Sequence, residues 1–207
     1  MDNQLERREV LRIGFRPWLP TFQERTLLLA GGSIQALEDV MAGARAAGNL
    51  GGGTHHAFAA HGEGYCVFND LAIVARLAQR DYGVGQIVIA DLDVHQGNGT
   101  ADILRDDPEI FTYSIHGAKN YPFRKQQSDL DVEVATNATD TEYLEHLDRT
   151  LPEVLERRRP ELVLFQAGVD GLATDTLGKL SLTREGINNR NRRVFDWVSQ
   201  IDAAMLV

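Results

Sequence analysis

Most of the residues able to do chemistry in this chain fall in short polar stretches that follow apolar runs. In Asp91-Leu-Asp-Val-His95 polar and apolar positions alternate, so an extended backbone puts Asp91, Asp93 and His95 on one face. Two carboxylates and an imidazole crowded together are unfavourable unless something cationic lies among them. A divalent ion answers that need. Oxygen and imidazole donors with no thiolate suit Zn2+ or Fe2+ in a catalytic site with an open position. Asp175, in a second acidic stretch with Asp170, could supply a third ligand. The plainer alternative is that these are loop-end polar residues capping the next helix. His95 and the second acidic stretch weigh against it.

His55-His56 follows three glycines, Gly51 to Gly53. Imidazole is the side chain best matched to acid-base work near neutral pH, and a glycine-rich backbone can approach a ligand closely. Adjacent histidines also occur by accident on surfaces, and only their place in this loop argues otherwise. In Gly64-Tyr-Cys-Val-Phe-Asn-Asp70, Tyr65 and Phe68 could line an apolar passage or pack in the core. Cys66 beside them invites a nucleophile reading. With no cationic neighbour in the sequence it reads better as a buried, inert thiol. Asn98, between Gly97 and Gly99, could face the histidines or sit in an ordinary turn.

These residues need elements to hold them. The chain has 207 residues, 43% of them hydrophobic, which suits one α/β domain with a sizeable core. Buried strands are expected at 86–91, 110–115 and 162–166, with a shorter one at 130–134. Helices are expected over 23–47, with Gly31-Gly32 as a weak point, from Asn69-Asp70 to Arg80, and over 100–105, 141–159 and 184–200. Pro17 and Pro20 stop any long helix in the first 22 residues. This alternation predicts a parallel sheet with helices on both faces. Ligands of such sheets lie beyond the carboxyl ends of the strands. Asp91, Asp93 and His95 follow one strand, Ser114 and His116 end another, and Asp170 and Asp175 follow a third.

The net charge of -9 and the lack of a basic stripe argue against direct nucleic-acid binding, while an acidic surface is compatible with cationic partners. One cysteine excludes an internal disulfide and points to a reducing compartment. No leader-like or membrane-spanning apolar run is present in the sequence.

Five blocks, in order, resemble the histone deacetylase superfamily, which includes bacterial acetoin-utilisation-type proteins and arginase-like relatives. They are Gly51-Gly-Gly-Thr-His-His-Ala57, Gly64-Tyr-Cys-Val-Phe-Asn-Asp70, Asp91-Leu-Asp-Val-His-Gln-Gly-Asn-Gly99, Tyr113-Ser-Ile-His116 and Ala167-Gly-Val-Asp-Gly-Leu-Ala-Thr-Asp175. With Gln96 and Asn98, the third block is more similar to class IV and bacterial members than to class I. The resemblance runs from about Gln23, dividing the chain into an N-terminal segment 1–22 and a partial domain 23–207. It implies one Zn2+ per chain held by Asp93, His95 and Asp175, and a structural K+ at Asp91, Asp93, His95, Ser114 and Ile115. It implies His55 and His56 as the proton-transfer pair, with Asp91 orienting His55. Asn98 stands where many members carry a second aspartate, which leaves His56 less biased toward imidazolium. Gly64 and Tyr65 match the wall of a substrate tunnel.

The expected activity is therefore zinc-dependent removal of acetyl or longer acyl groups from lysine side chains, in peptides or proteins, or from small amines. A cytoplasmic location fits, or a nuclear one in a eukaryote. The family pattern continues to a glycine-rich motif whose tyrosine donates to the oxyanion, yet no tyrosine follows Tyr143 here. The N-terminal opening strand also lacks a counterpart. On that comparison the fold is expected to be incomplete, truncated at both ends, with an open edge beside strand 162–166 that favours association. Loss of one oxyanion donor costs about 100- to 1000-fold in rate. The second expectation is thus a catalytically impaired metal-binding pseudoenzyme or fragment acting through protein partners. A third, an arginase-like two-manganese hydrolase, wants Asp-x-His-x-Asp spacing, and Gly97 stands where the last aspartate would be.

Overall fold

The apolar run Ile87–Ala90 lies at the middle of a six-stranded sheet in the structure, a computed structural model that describes residues 5–207. In chain order the helices are α1 (Arg7–Ile13), α2 (Pro20–Met41), α3 (Asp70–Tyr82), α4 (Asn98–Leu104), α5 (Asp140–Arg158) and α6 (Arg184–Gln200). The strands are β1 (Ala46–Ala47), β2 (Ile87–Asp91), β3 (Ile110–Gly117), β4 (Leu130–Val134), β5 (Leu162–Gln166) and β6 (Ala204–Leu206). The sheet order is β1-β6-β5-β2-β3-β4, and every pairing is parallel.

The strands read as continuous apolar runs because both of their faces are covered. Ile87, Ile89, Leu162 and Leu164 pack against Leu37, Val40, Leu71 and Val74 of α2 and α3. Val88, Ala90, Val163 and Phe165 pack on the other face against Leu147, Leu151, Val194 and Val198 of α5 and α6. Each such buried valine, leucine, isoleucine or phenylalanine contributes ~1.5–3 kcal/mol relative to exposure. The helix ends follow their capping residues. Asn69 accepts from the Ala72 amide at 2.9 Å to start α3, and Gly83 in the left-handed region ends it. Thr139 and Glu142 form a capping box that starts α5.

Some expected boundaries move. The helix expected from residue 23 starts at Pro20, whose missing N–H is harmless in a first turn, and it runs through Gly31-Gly32. The break expected at residue 22 falls inside this helix. Ala46 and Ala47, expected at a helix end, form a strand instead.

The expected open edge beside strand 162–166 is a correction. β5 is hydrogen-bonded on both sides, to β2 and to β6, and β1 pairs with β6 in turn. The Val207 amide donates to the Ala47 carbonyl at 2.9 Å, and the Val207 carbonyl accepts from Asn49 at 2.8 Å, which ties this edge to the glycine-rich loop.

Parallel register sets the site. Asp91 at the end of β2 lies beside Ser114 of β3 and Gln166 of β5. The loops leaving β2, β3 and β5 therefore open at one edge of the sheet.

Candidate active site

A histidine pair and a carboxylate–imidazole cluster define the site. His55 and His56 are both buried, with ring centroids 4.1 Å apart. The Nδ1 of His55 is 2.6 Å from Asp91 Oδ2, and the Nδ1 of His56 is 2.7 Å from Asn98 Oδ1. Each ring is thus held by a partner from the segment at and just after the end of β2. Gly97 permits that approach, because a side chain there would overlap the Asp91 carboxylate and press on His55.

The residues immediately after β2 form the second part. His95 Nδ1 lies 3.1 Å from Asp93 Oδ1 and 2.9 Å from Asp170 Oδ2. Ligand-capable atoms of Asp93, His95 and Asp170 all fall within 4.8 Å of one another. This donor set, two carboxylates and an imidazole, fits a divalent metal with a position left open. Gly168 keeps it close, since a side chain at that position would overlap the Asp93 carboxylate.

The expectation for Asp175 needs correction. That residue is exposed, and its Oδ1 accepts from the amides of Leu177 and Gly178, both at 2.7 Å. Its carboxylate therefore closes a local turn, and Asp170 stands with Asp93 and His95 instead. Asp170 is fixed by the Val94 amide, which donates to its other oxygen at 3.0 Å.

The electrostatics separate the histidines. Burial disfavours a charge on His55, but Asp91 and Asp93 outweigh it and raise its pKa to about 9. Burial and the neighbouring charge of His55 lower His56 to about 3. His95 is also raised to about 9, because its hydrogen bonds to Asp170 and Asp93 overcome burial. At neutral pH, then, His56 is the uncharged imidazole of the pair.

A cavity of about 810 Å3 is lined by His55, His56, Asp93, His95 and Asp170, and also by Gly64, Tyr65 and Tyr121. Gly64 and Tyr65 both adopt left-handed backbone, at φ 54° and 64°, which turns Gly64 onto His56 and leaves Tyr65 at the opening. Phe68 lies elsewhere, in a separate surface groove beside α3. Ser114 sits beside Asp91 in register and shares a 3.0 Å hydrogen bond with His116, while Ile115 is fully buried.

Cys66 is 6% exposed, and burial pushes its thiol up to about 12. It should react with iodoacetamide roughly a thousandfold more slowly than an ordinary thiol at neutral pH, and normally in denaturant. Fast labelling of the folded protein would contradict the inert reading.

Of two further residues that shape the site, Gln96 lies within the third motif block and Arg190 carries no motif signal. Arg190 of α6 is 1% exposed and donates to the carbonyls of Leu92 at 2.9 Å, Gly168 at 2.7 Å and Ala167 at 3.0 Å. It staples together the two loops that supply Asp93 and Asp170. Gln96, fully buried, bonds Gln126 and Asp131 and so anchors the loop that carries Tyr121. A buried arginine on an otherwise apolar helix face is the one sign the sequence could have offered.

Comparison with known proteins agrees with this architecture. A family model described as the histone deacetylase domain matches residues 6–207. An uncharacterized protein of Picosynechococcus sp. is 44% identical over 183 residues, which are 88% of this chain and 60% of that protein. Histone deacetylase 2 of Arabidopsis thaliana is 37% identical over 150 residues, 71% of this chain and 39% of that enzyme. The chain spans less than two thirds of either relative. Among solved structures, an acetylpolyamine aminohydrolase from Burkholderia pseudomallei shares the fold, with a TM-score of 0.73 at 21% identity over 86% of this chain and 54% of that one.

Proposed function

The chain belongs to the histone deacetylase domain family, and from that membership and the site's geometry we propose that the protein is a zinc-dependent amidohydrolase acting on acylated amines. The observation that carries the proposal is the juxtaposition in one cavity of Asp93, His95 and Asp170 with an uncharged His56 and an Asp91-paired His55. Acylated lysine side chains and small acylated amines are the proposed substrates, and one Zn2+ per chain the proposed cofactor. A structural K+ is proposed at Asp91, Asp93, His95, Ser114 and Ile115, where carboxylate, hydroxyl and carbonyl oxygens suit a hard cation.

Held by Asp93, His95 and Asp170, Zn2+ would polarise the amide carbonyl and lower the pKa of water. The chain's own groups do the rest. His56 accepts a proton at Nε2 from the attacking water as the new C–O bond forms. His55, kept charged by Asp91, places a positive charge beside the developing oxyanion. As the C–N bond breaks, a protonated histidine delivers the proton to the departing amine. Free amine and carboxylic acid are the products.

The cavity lining suggests a substrate preference. Besides the raised histidines His55 and His95, Arg12, Arg16 and Lys179 are its cationic members, and the lining carboxylates are Asp93 and Asp170, which the metal would engage. Despite the net charge of -9, this opening disfavours cationic substrates. At low salt, acetyl-lysine in a neutral or acidic peptide should be hydrolysed about tenfold more efficiently than acetylated polyamines, and the gap should shrink as salt rises. Hydrolysis by the zinc-loaded protein that stops on chelation tests the proposal. Zinc bound with no turnover of any acylated amine would favour the alternative, a metal-binding protein that works through partners.

A further inference from the structure

In many members of this family the second histidine is expected to rest on a carboxylate, and here it rests on the neutral Asn98. An amide is an ambiguous partner, because it can present either its oxygen or its NH2 to the ring. Glu63 resolves the ambiguity. Its Oε1 accepts from Asn98 Nδ2 at 3.1 Å and also from the Tyr121 hydroxyl. Its Oε2 is 3.5 Å from His61 Nε2. A carboxylate has no proton to donate, so the amide edge that faces it must be NH2. The Asn98 oxygen then necessarily faces His56 Nδ1, 2.7 Å away. That oxygen can only accept, so the proton of neutral His56 sits on Nδ1 and leaves Nε2 free as a base.

The backbone holds Glu63 in place for this. The Glu63 amide donates to the Cys66 carbonyl at 2.9 Å, and the Cys66 amide returns the bond at 2.8 Å. The ring of Tyr121 packs edge-on against His56 with centroids 4.9 Å apart, so one side chain touches both ends of the chain of hydrogen bonds.

We propose that Glu63 is a positioning residue which, by fixing the orientation of the Asn98 amide, selects the Nδ1–H tautomer of His56. The carboxylate function is present but displaced one residue outward, behind the asparagine. The proposal rests on the reading of His56 as the base, yet its test does not depend on turnover.

The experiment uses the full chain labelled with 15N at histidine, with long-range 1H–15N spectra reporting which ring nitrogen of each histidine carries the proton. The expected result is a His56 with protonated Nδ1 in the parent protein. In Glu63→Met, which keeps the bulk and removes the acceptor, His56 should move to a tautomer mixture. The double variant Glu63→Met with Asn98→Asp should restore the parent pattern, since the carboxylate that replaces the amide can only accept. Where turnover is measurable, Glu63→Met should lower kcat about 10- to 100-fold with little change in KM, and the double variant should recover most of it. A parent His56 protonated on Nε2, a His56 unmoved by Glu63→Met, or a folded double variant that fails to restore Nδ1–H would each overturn the proposal. A zinc-loaded parent with the expected tautomer and no turnover would count against the enzymatic reading alone and leave this one standing.

Discussion

Asp170→Ala is expected to abolish stoichiometric zinc binding, while Asp175→Ala leaves it intact. Asp170 contributes Oδ2 to the cluster with His95 and Asp93, whereas Asp175 spends its carboxylate on the amides of Leu177 and Gly178. Groups that merely orient metal ligands cost 10- to 100-fold in affinity when removed, and a direct ligand should exceed about 100-fold. Chelator competition and elemental analysis measure both variants. Asp170→Asn is the control for shape, because it can keep the bond from the Val94 amide while losing the charge. It should bind zinc more weakly than the parent protein and at least as well as the alanine variant. A pH dependence accompanies this. His95 is raised to about 9 without metal, so at pH 7 zinc must displace its proton. Affinity should therefore rise about tenfold per pH unit up to about pH 9. Full zinc occupancy in Asp170→Ala, with loss in Asp175→Ala, would reverse the assignment.

The contrast between these two aspartates shows where sequence stops being sufficient. Alternation along β2 and the residues after it follows from backbone geometry, so Asp91, Asp93 and His95 could be placed on one side of the sheet from spacing alone. The apolar runs at 87–90 and 162–165 and the capping residue Asn69 were legible for the same local reason. A loop has no such period. Asp170 and Asp175 lie five residues apart in one loop, and what separates them is the Val94 amide from a different strand's loop. The short edge strands are a second case. Ala46-Ala47 has no strand pattern of its own, and it pairs only because Ala204–Leu206 returns beside β5. Arg190 is a third. Its position in α6 makes sense only once three carbonyls of two distant loops are seen to converge on it. Phe68, which the sequence left open between the passage and the core, lines a groove beside α3, while the left-handed turn at Gly64 and Tyr65 places the tyrosine at the cavity.

His56→Ala should cost 100- to 10,000-fold in kcat, about 3 to 5 kcal/mol of transition-state stabilisation, with the larger loss at His56 than at His55. The roles follow from the charges. Burial and the charge of His55 hold His56 at about 3, so it is unprotonated and able to accept at neutral pH. His55, held at about 9 by Asp91 and Asp93 despite burial, is already protonated and cannot be the first acceptor. His55→Ala removes a positive charge from beside the oxyanion, and it also removes one of the influences that depress His56. The sign of that second effect is testable. A base works above its own pKa, so when His56 rises toward the ordinary histidine value of about 6.5, the acid limb of the pH–rate profile moves to higher pH. His55→Ala should therefore lose activity most severely on the acid side and recover part of it as pH rises. Asp91 contributes as well: burial already favours its protonated form, and without the His55 ring it loses its hydrogen-bonded imidazole partner. Asp91→Asn should thus resemble His55→Ala in its pH profile, while His56→Ala should be low at every pH. Rates are read as ratios to a parent protein of the same length, with zinc occupancy checked in each variant. A milder loss for His56→Ala than for His55→Ala, with metal retained in both, would exchange the two roles.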